Sequence, residues 1–299
     1  MRQVGIIGLG KMGYNLALNM IDNDILVFGY DKFINKDLIE NSKLVVLTKL
    51  QDLVTSLARP RVIWMMVPSG ETTENLIDEL GRMLSPNDII IDGGNSRYTD
   101  TIRRYKYLKE FDISLVDCGT SGGVNGARYG ASLMVGGDLE VVKSISWLFE
   151  SLAIKDGYAY IGESGSGHFV KMVHNGIEYG MMQAIGEGFD LLEHSHYELN
   201  YKDVARVWAN GSIIQGLLMD VTLSALSKDE KLTSIAGRID DSGEGQWTIE
   251  EALKLKVSIP VIAASLFARY KSRDDLLFSE KIVASMRNEF GGHKVYKKK

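Results

Sequence analysis

Lys171, His174, Asn175 and Glu178 occupy one short stretch, KMVHNGIEYGMM, at residues 171–182. At about 100° per residue, a helix places these four side chains on one stripe, while Met172, Val173 and Ile177 point elsewhere. An amine and a carboxyl there can pass protons, and an imidazole and an amide can hold hydroxyl groups. A solvated face has the same pattern, so both readings stand at this point. His and Asn are mediocre helix formers that a surface does not need. Gly176 and Gly180 fall in the helix interior, each at a cost of about 1 kcal/mol relative to Ala, which points to a second backbone or a ligand close by.

The element that must carry this stripe is a long amphipathic helix, expected over Gly167–His194 and roughly 40 Å long. Further helical stretches follow at Tyr201–Ala209, Gly216–Leu226, Ile249–Lys254 and Pro260–Tyr270. The first half reads differently. Strand candidates Val4–Ile7, Leu26–Tyr30, Leu44–Leu47, Val62–Val67, Ile89–Asp92 and Ser114–Asp117 alternate with helical patterns such as Glu71–Met83 and Asp100–Phe111. That alternation predicts βαβ units on a parallel sheet. Continuous apolar runs such as VIWMMV suit strands covered on both faces. The expected fold is an α/β, Rossmann-type doubly wound domain over residues 1–164, followed by an all-α domain over 165–299.

Gly8, Gly10 and Gly13 form G-x-G-x-x-G directly after the first strand and at the opening of a helix. The first glycine allows the turn, the second lets a pyrophosphate approach the backbone, and the third lets helix and strand pack closely. Free N–H groups at the helix N-terminus would receive the phosphates. Asp31 ends the second strand, where a carboxylate either accepts the adenosine ribose hydroxyls and repels a 2′-phosphate or only caps a turn. Lys32 offers a cation, but Asp31 opposes a phosphate there. The expected cofactor is NAD, lined by Gly8, Leu9, Gly10, Lys11, Met12, Gly13, Asp31, Val67 and Asn95. Asp92-Gly93-Gly94-Asn95-Ser96 and Gly119-Thr120-Ser121-Gly122-Gly123 are read as two small-residue loops at the carboxyl edge of the sheet, where ligands bind in this architecture; either loop taken alone is equally a plain turn.

A net charge of −5 argues against broad nucleic-acid binding, and the tail Lys297-Lys298-Lys299 reads as a solvated end. The lone Cys118 suits a reducing compartment and is read as a buried structural thiol. No secretory signal or membrane span is expected, so the expected location is the cytoplasm. The five histidines are scattered, and no metal site is expected.

The stretch K-M-V-H-N-G-I-E-Y, with G-x-G-H-F-V before it, closely resembles the substrate helix of decarboxylating 6-phosphogluconate dehydrogenases. GLGKMG near the N-terminus, DGGNS at 92–96, SGG at 121–123, GEGQWT at 243–248, FAR at 267–269 and RNEFGGH at 287–293 resemble the family's other motifs, in the family's order. The resemblance implies oxidative decarboxylation of 6-phosphogluconate to ribulose 5-phosphate. Lys171 would be the base and acid at the oxidised hydroxyl, and Glu178 would protonate the enediol left by decarboxylation. Asn95, His174 and Asn175 would orient hydroxyls. Ser121, Gly122 and Gly123 would hold the carboxylate end. Tyr179, Arg269, Arg287 and His293 would bind the phosphate, the last two reaching across from a neighbouring subunit of a homo-oligomer. Met12 would lie near the nicotinamide.

The chain resembles the short bacterial form rather than the long form with a duplicated helical bundle. Ser242-Gly243-Glu244-Gly245-Gln246-Trp247 stands where many members carry a lysine-bearing K-G-T-G-K-W loop. Asp31, in place of the arginine loop of NADP-using members, agrees with NAD. Two rival functions are a 3-hydroxyisobutyrate-type dehydrogenase without decarboxylation and a non-catalytic NAD sensor.

Overall fold

The computed structural model describes residues 2–33 and 43–297. Lys298 and Lys299 of the expected basic tail lie outside them. The chain divides into two compact units, residues 1–175 and 176–299.

The first unit runs β1 (Gln3–Ile7), α1 (Lys11–Asp22), β2 (Leu26–Tyr30), β3 (Val45–Leu47), α2 (Leu50–Ser56), β4 (Val62–Met65), α3 (Glu71–Met83) and β5 (Ile89–Asp92). It continues through α4 (Tyr98–Lys109), β6 (Ser114–Ser121), α5 (Gly123–Tyr129), β7 (Ala131–Gly136), α6 (Leu139–Ser144), α7 (Ser146–Leu152) and β8 (Ala153–Gly162). The strands form one sheet in the order β3-β2-β1-β4-β5-β6-β7-β8. All neighbouring pairs are parallel except β6 and β7. The strand order reverses between β1 and β4, the crevice position for a ligand in an open α/β sheet.

Alternation along the strands sends residues to two cores. Trp64, Ile89 and Ile91 join the core on one face with Val4 and Ile6. Ile63, Met65 and Ile90 join the other with Ile7. Both faces are covered, which is why these strands read as unbroken apolar runs. Cys118 is fully buried, and burial pushes its thiol well above the usual range.

Three expectations need correction. Gly119, Thr120 and Ser121 are not a loop: β6 continues through Ser121 because β7 pairs with it antiparallel over Asp117–Ser121. The six expected strands omit β7 and β8. The sheet is therefore mixed rather than wholly parallel.

α8 (Ser166–Glu193) begins in the first unit and continues into the second, with α9 (Tyr201–Ala209), α10 (Leu217–Lys228), α11 (Glu244–Leu255), α12 (Pro260–Ser272) and α13 (Phe278–Gly291) after it. Among its described residues the second unit holds helices joined by loops and no strand, as the sequence pattern predicts. Its small core joins Tyr201, Ala205, Met219 and Leu226 to Phe189 and Trp208. Gly176 and Gly180 do admit a close neighbour, but it is packed helices: an added Cβ would sit 2.9 Å from Thr248 Cγ2 and 3.4 Å from Val261 Cγ1, respectively. Much apolar surface stays open in this unit; Ile213, Leu253 and Val261 are 102%, 74% and 69% exposed.

Among the described residues, no helix is long and apolar enough to cross a membrane.

Candidate active site

The glycine loop between β1 and α1 is closed below and open above. A Cβ on Gly13 would lie 1.9 Å from the Gly8 carbonyl oxygen, so only glycine lets α1 pack this closely on the turn. Nothing lies within 4 Å of the point a Cβ would take on Gly10, and the first turn of α1 carries no acid. Free N–H groups there face open space, the arrangement a pyrophosphate needs. Lys11 is exposed and Met12 half-buried on the same turn.

Asp31 is the residue after β2. Its Oδ2 accepts the Leu9 backbone N–H at 2.7 Å and its Oδ1 accepts the Phe33 N–H at 2.8 Å. The carboxylate is thus fixed beside the glycine loop. Val67 borders both that loop and the next, since a Cβ on Gly8 would meet its Cγ1 at 3.2 Å and one on Gly94 its carbonyl oxygen at 2.9 Å. These residues fit a pyridine dinucleotide.

Asp92, which is 1% exposed, organises the loop after β5. Its Oδ2 accepts the Ser96 hydroxyl at 2.7 Å and its Oδ1 accepts the Gly94 N–H at 3.2 Å, leaving Asn95 exposed at the tip. Buried Arg104 of α4 backs this loop: it donates to Ser96 Oγ at 3.3 Å, to the Gly70 carbonyl at 3.4 Å and to Glu74 at 2.9 Å. Arg103 also donates to Glu74. These cations, Arg103 foremost, hold the Glu74 carboxyl down to about 2 from an ordinary 4.5. A carboxyl depressed by folding stabilises the fold fully above its unfolded value and loses that contribution as pH falls through its folded one. The thermal midpoint of the wild type should therefore exceed that of Glu74→Gln at neutral pH, and the gap should shrink from about pH 4.5 and close near pH 2. A gap constant across that range would contradict the assignment.

The start of α8 lies on the sheet with almost no clearance. A Cβ on Gly119 would meet Lys171 Cβ at 2.4 Å and the Gly167 carbonyl at 3.0 Å. Asp117, fully buried on β6, caps the helix from the side: Oδ1 accepts the Gly165 N–H at 2.7 Å and Oδ2 the His168 N–H at 2.9 Å. A carboxylate at a helix N-terminus meets free donors and the positive end of the dipole.

One turn on, Lys171 is 7% exposed and its Nζ donates to Asn175 Oδ1 at 2.7 Å. His174 Nδ1 lies 3.5 Å from that Nζ and 3.2 Å from Asn175 Oδ1, and its Nε2 is 3.3 Å from Ser121 Oγ. The structure therefore brings Lys171, His174, Asn175 and Ser121 together. Lys171 and Asn175 are buried and His174 and Glu178 half-buried, while Ile177 and Met181 are 51% and 52% exposed, the reverse of a solvated stripe. Gly122 and Gly123 follow Ser121 with φ of 109° and 61° and open α5.

In the second unit, Glu178 is half-buried on α8 and Tyr179 is 6% exposed. The Arg269 guanidinium lies 3.4 Å from the centroid of the Tyr179 ring and donates to the Asp240 carbonyl at 3.0 Å. The Tyr179 hydroxyl accepts the Ser242 N–H at 3.4 Å, at the loop that opens α11. A planar cation and a phenol converge there, a combination suited to an anion. Arg287 and His293 are exposed elsewhere, at the end of α13, where the His293 N–H donates to the Arg287 carbonyl at 3.4 Å.

Residues 3–162 match the family model of the NAD-binding domain of 6-phosphogluconate dehydrogenase, and residues 167–294 match that of its C-terminal domain. This chain belongs to the 6-phosphogluconate dehydrogenase family. Bacillus subtilis YqeC, named provisionally as a 6-phosphogluconate dehydrogenase, is 48% identical over 99% of this chain and 100% of its own length. An NAD(+)-dependent, decarboxylating 6-phosphogluconate dehydrogenase of Haloferax volcanii is 36% identical, with 99% of both chains covered. The structure of the Plasmodium falciparum 6-phosphogluconate dehydrogenase superposes with a TM-score of 0.83 at 31% identity, covering 99% of this chain. This chain spans 66% of that longer one. A pyridine-nucleotide domain joined to a helical domain is thus the family plan.

Sequence reasoning passed over Asp117, His168, Thr101 and Arg104. The signal it could have used is an unpaired-looking acid inside an apolar strand, SLVDCGT, and a histidine one turn before the lysine.

Proposed function

We propose that this chain catalyses NAD-dependent oxidative decarboxylation of 6-phosphogluconate to ribulose 5-phosphate and CO₂. What supports this beyond family membership is the buried Lys171 amine, held by Asn175 on the polar stripe of the substrate helix. A pyridine dinucleotide held by the glycine loop and Asp31 would supply the hydride acceptor for the secondary alcohol. Lys171 Nζ takes the hydroxyl proton as that C–H bond breaks, giving a β-keto acid. The C–C bond to the carboxylate then breaks, its electron pair moves toward the ketone, and Lys171 returns a proton to that oxygen. Glu178 supplies the proton that the resulting enediol needs at carbon. Asn95, His174 and Asn175 orient hydroxyls, Ser121, Gly122 and Gly123 receive the carboxylate end, and Tyr179 and Arg269 bind the phosphate.

NAD rather than NADP is favoured by Asp31, whose carboxylate is fixed beside the glycine loop and would repel a 2′-phosphate. The Haloferax relative is named for NAD(+), whereas the Plasmodium structure is described with its cofactor NADP+. We propose a homo-oligomer in which Arg287 and His293 of one subunit serve its neighbour's phosphate site. The exposed side chains of both residues and the open apolar surface of the helical unit support it.

Purified protein mixed with NAD and 6-phosphogluconate should yield reduced cofactor and CO₂ in equal amounts. Reduction without CO₂ would assign a hydroxyacid dehydrogenase of the 3-hydroxyisobutyrate type. Neither product would leave a nucleotide-binding sensor.

A further inference from the structure

His168 is 2% exposed and lies one turn before Lys171 on α8. Its ring meets two groups distant in sequence. Nε2 is 3.1 Å from the Asp92 carbonyl oxygen and Nδ1 is 2.7 Å from the Thr101 hydroxyl. A backbone carbonyl can only accept, so the proton sits on Nε2. Nδ1 then presents a lone pair to the hydroxyl of Thr101, itself fully buried on α4. A side chain that only filled space would not need two aimed polar atoms, since each buried polar group without a partner is costly.

The Asp92 carbonyl is the point from which the loop to Asn95 departs. The carboxyl of the same residue organises that loop through Gly94 and Ser96. α4 supplies both supports from one face: Thr101 sets the imidazole, and Arg104, three residues on, grips Ser96.

We propose that His168 is a positioning residue for the oxidation step. Through Nε2–H it ties the helix carrying Lys171 to the loop carrying Asn95, and through Thr101 it is held in the tautomer that can do so. It touches neither substrate nor cofactor. The proposal rests on the reading of Lys171 and Asn95 as substrate-facing groups.

The test compares His168→Gln with His168→Asn. The glutamine amide reaches the place of Nε2–H, whereas the asparagine amide matches only Nδ1. A small misplacement of reacting groups costs on the order of 100-fold in rate, so the Asn variant should lose about that much kcat while the Gln variant stays within about tenfold of wild type. The Asn variant, which leaves the Asp92 carbonyl unpaired, should also melt lower than the Gln variant. Amide exchange at residues 93–96 should quicken in the Asn variant alone. Equal kcat in the two variants, or a deficit in the Asn variant that vanishes when both are assayed well below their thermal midpoints, would overturn the proposal. If the wild type does not turn over 6-phosphogluconate, the substrate reading falls by itself. The exchange measurement then decides the positioning role alone: quickening in the Asn variant supports it and unchanged exchange sinks it.

Discussion

Replacing Lys171 by Met should lower kcat by about 10²–10⁴-fold, the range expected when a general acid–base group is removed. Methionine is the informative replacement. Its unbranched stem can lie over Gly119 as the lysine stem does, where a branched residue would strike the strand. The change therefore removes the amine and leaves the helix seated. Binding of 6-phosphogluconate should stay within about tenfold, because the hydroxyl, carboxylate and phosphate ends retain their own partners. A calorimetric Kd beside a single-turnover rate separates the two effects. Substantial turnover in the variant would place the base on another residue.

The second large effect concerns the cofactor. Asp31→Ala removes both a ribose acceptor and the repulsion of a 2′-phosphate, so the ratio of kcat/KM for NAD over NADP should fall about 100-fold, the worth of a charged hydrogen bond of roughly 3 kcal/mol. The ratio matters more than either value. The same carboxylate holds the Leu9 N–H at 2.7 Å, and its loss loosens the glycine loop for both cofactors alike. A uniform drop with an unchanged ratio would mean that Asp31 serves the loop and does not choose the cofactor.

Much of this was legible in the sequence because it is local. The glycine fingerprint, the acid after β2 and the polar stripe on α8 are patterns of spacing, and spacing survives folding. α8 itself lies within one residue of its expected bounds at both ends. β8 was hidden for a physical reason. It is an edge strand with register shifts against β7, a left-handed Asp156 at φ 62° and mostly exposed residues, so it has neither an apolar run nor a clean alternation. α13 lies outside the expected helices although Phe278, Ile282 and Met286 recur at every fourth residue, the helical spacing; all three are exposed in this chain and pack into no core. Gly176 and Gly180 point to a second backbone or a ligand close by, and it is side chains of α11 and α12 that come close. Nothing in the sequence pairs His168 with Thr101 and Asp92, which lie 67 and 76 residues away, or Asp117 with the start of α8. Such polar supports appear only once the sheet has brought β5, β6 and α4 under the helix.

Running the reaction in D₂O and reading the product by NMR tests the proposed chemistry most directly. Decarboxylation leaves an enediol whose terminal carbon must gain one proton. An acid held by the protein delivers it to one face. Ribulose 5-phosphate formed from NAD and 6-phosphogluconate should then carry a single deuterium at C1, in one configuration, with one CO₂ released for each cofactor reduced. Deuterium in both configurations equally, or reduced cofactor without CO₂, would contradict the roles given to Lys171 and Glu178.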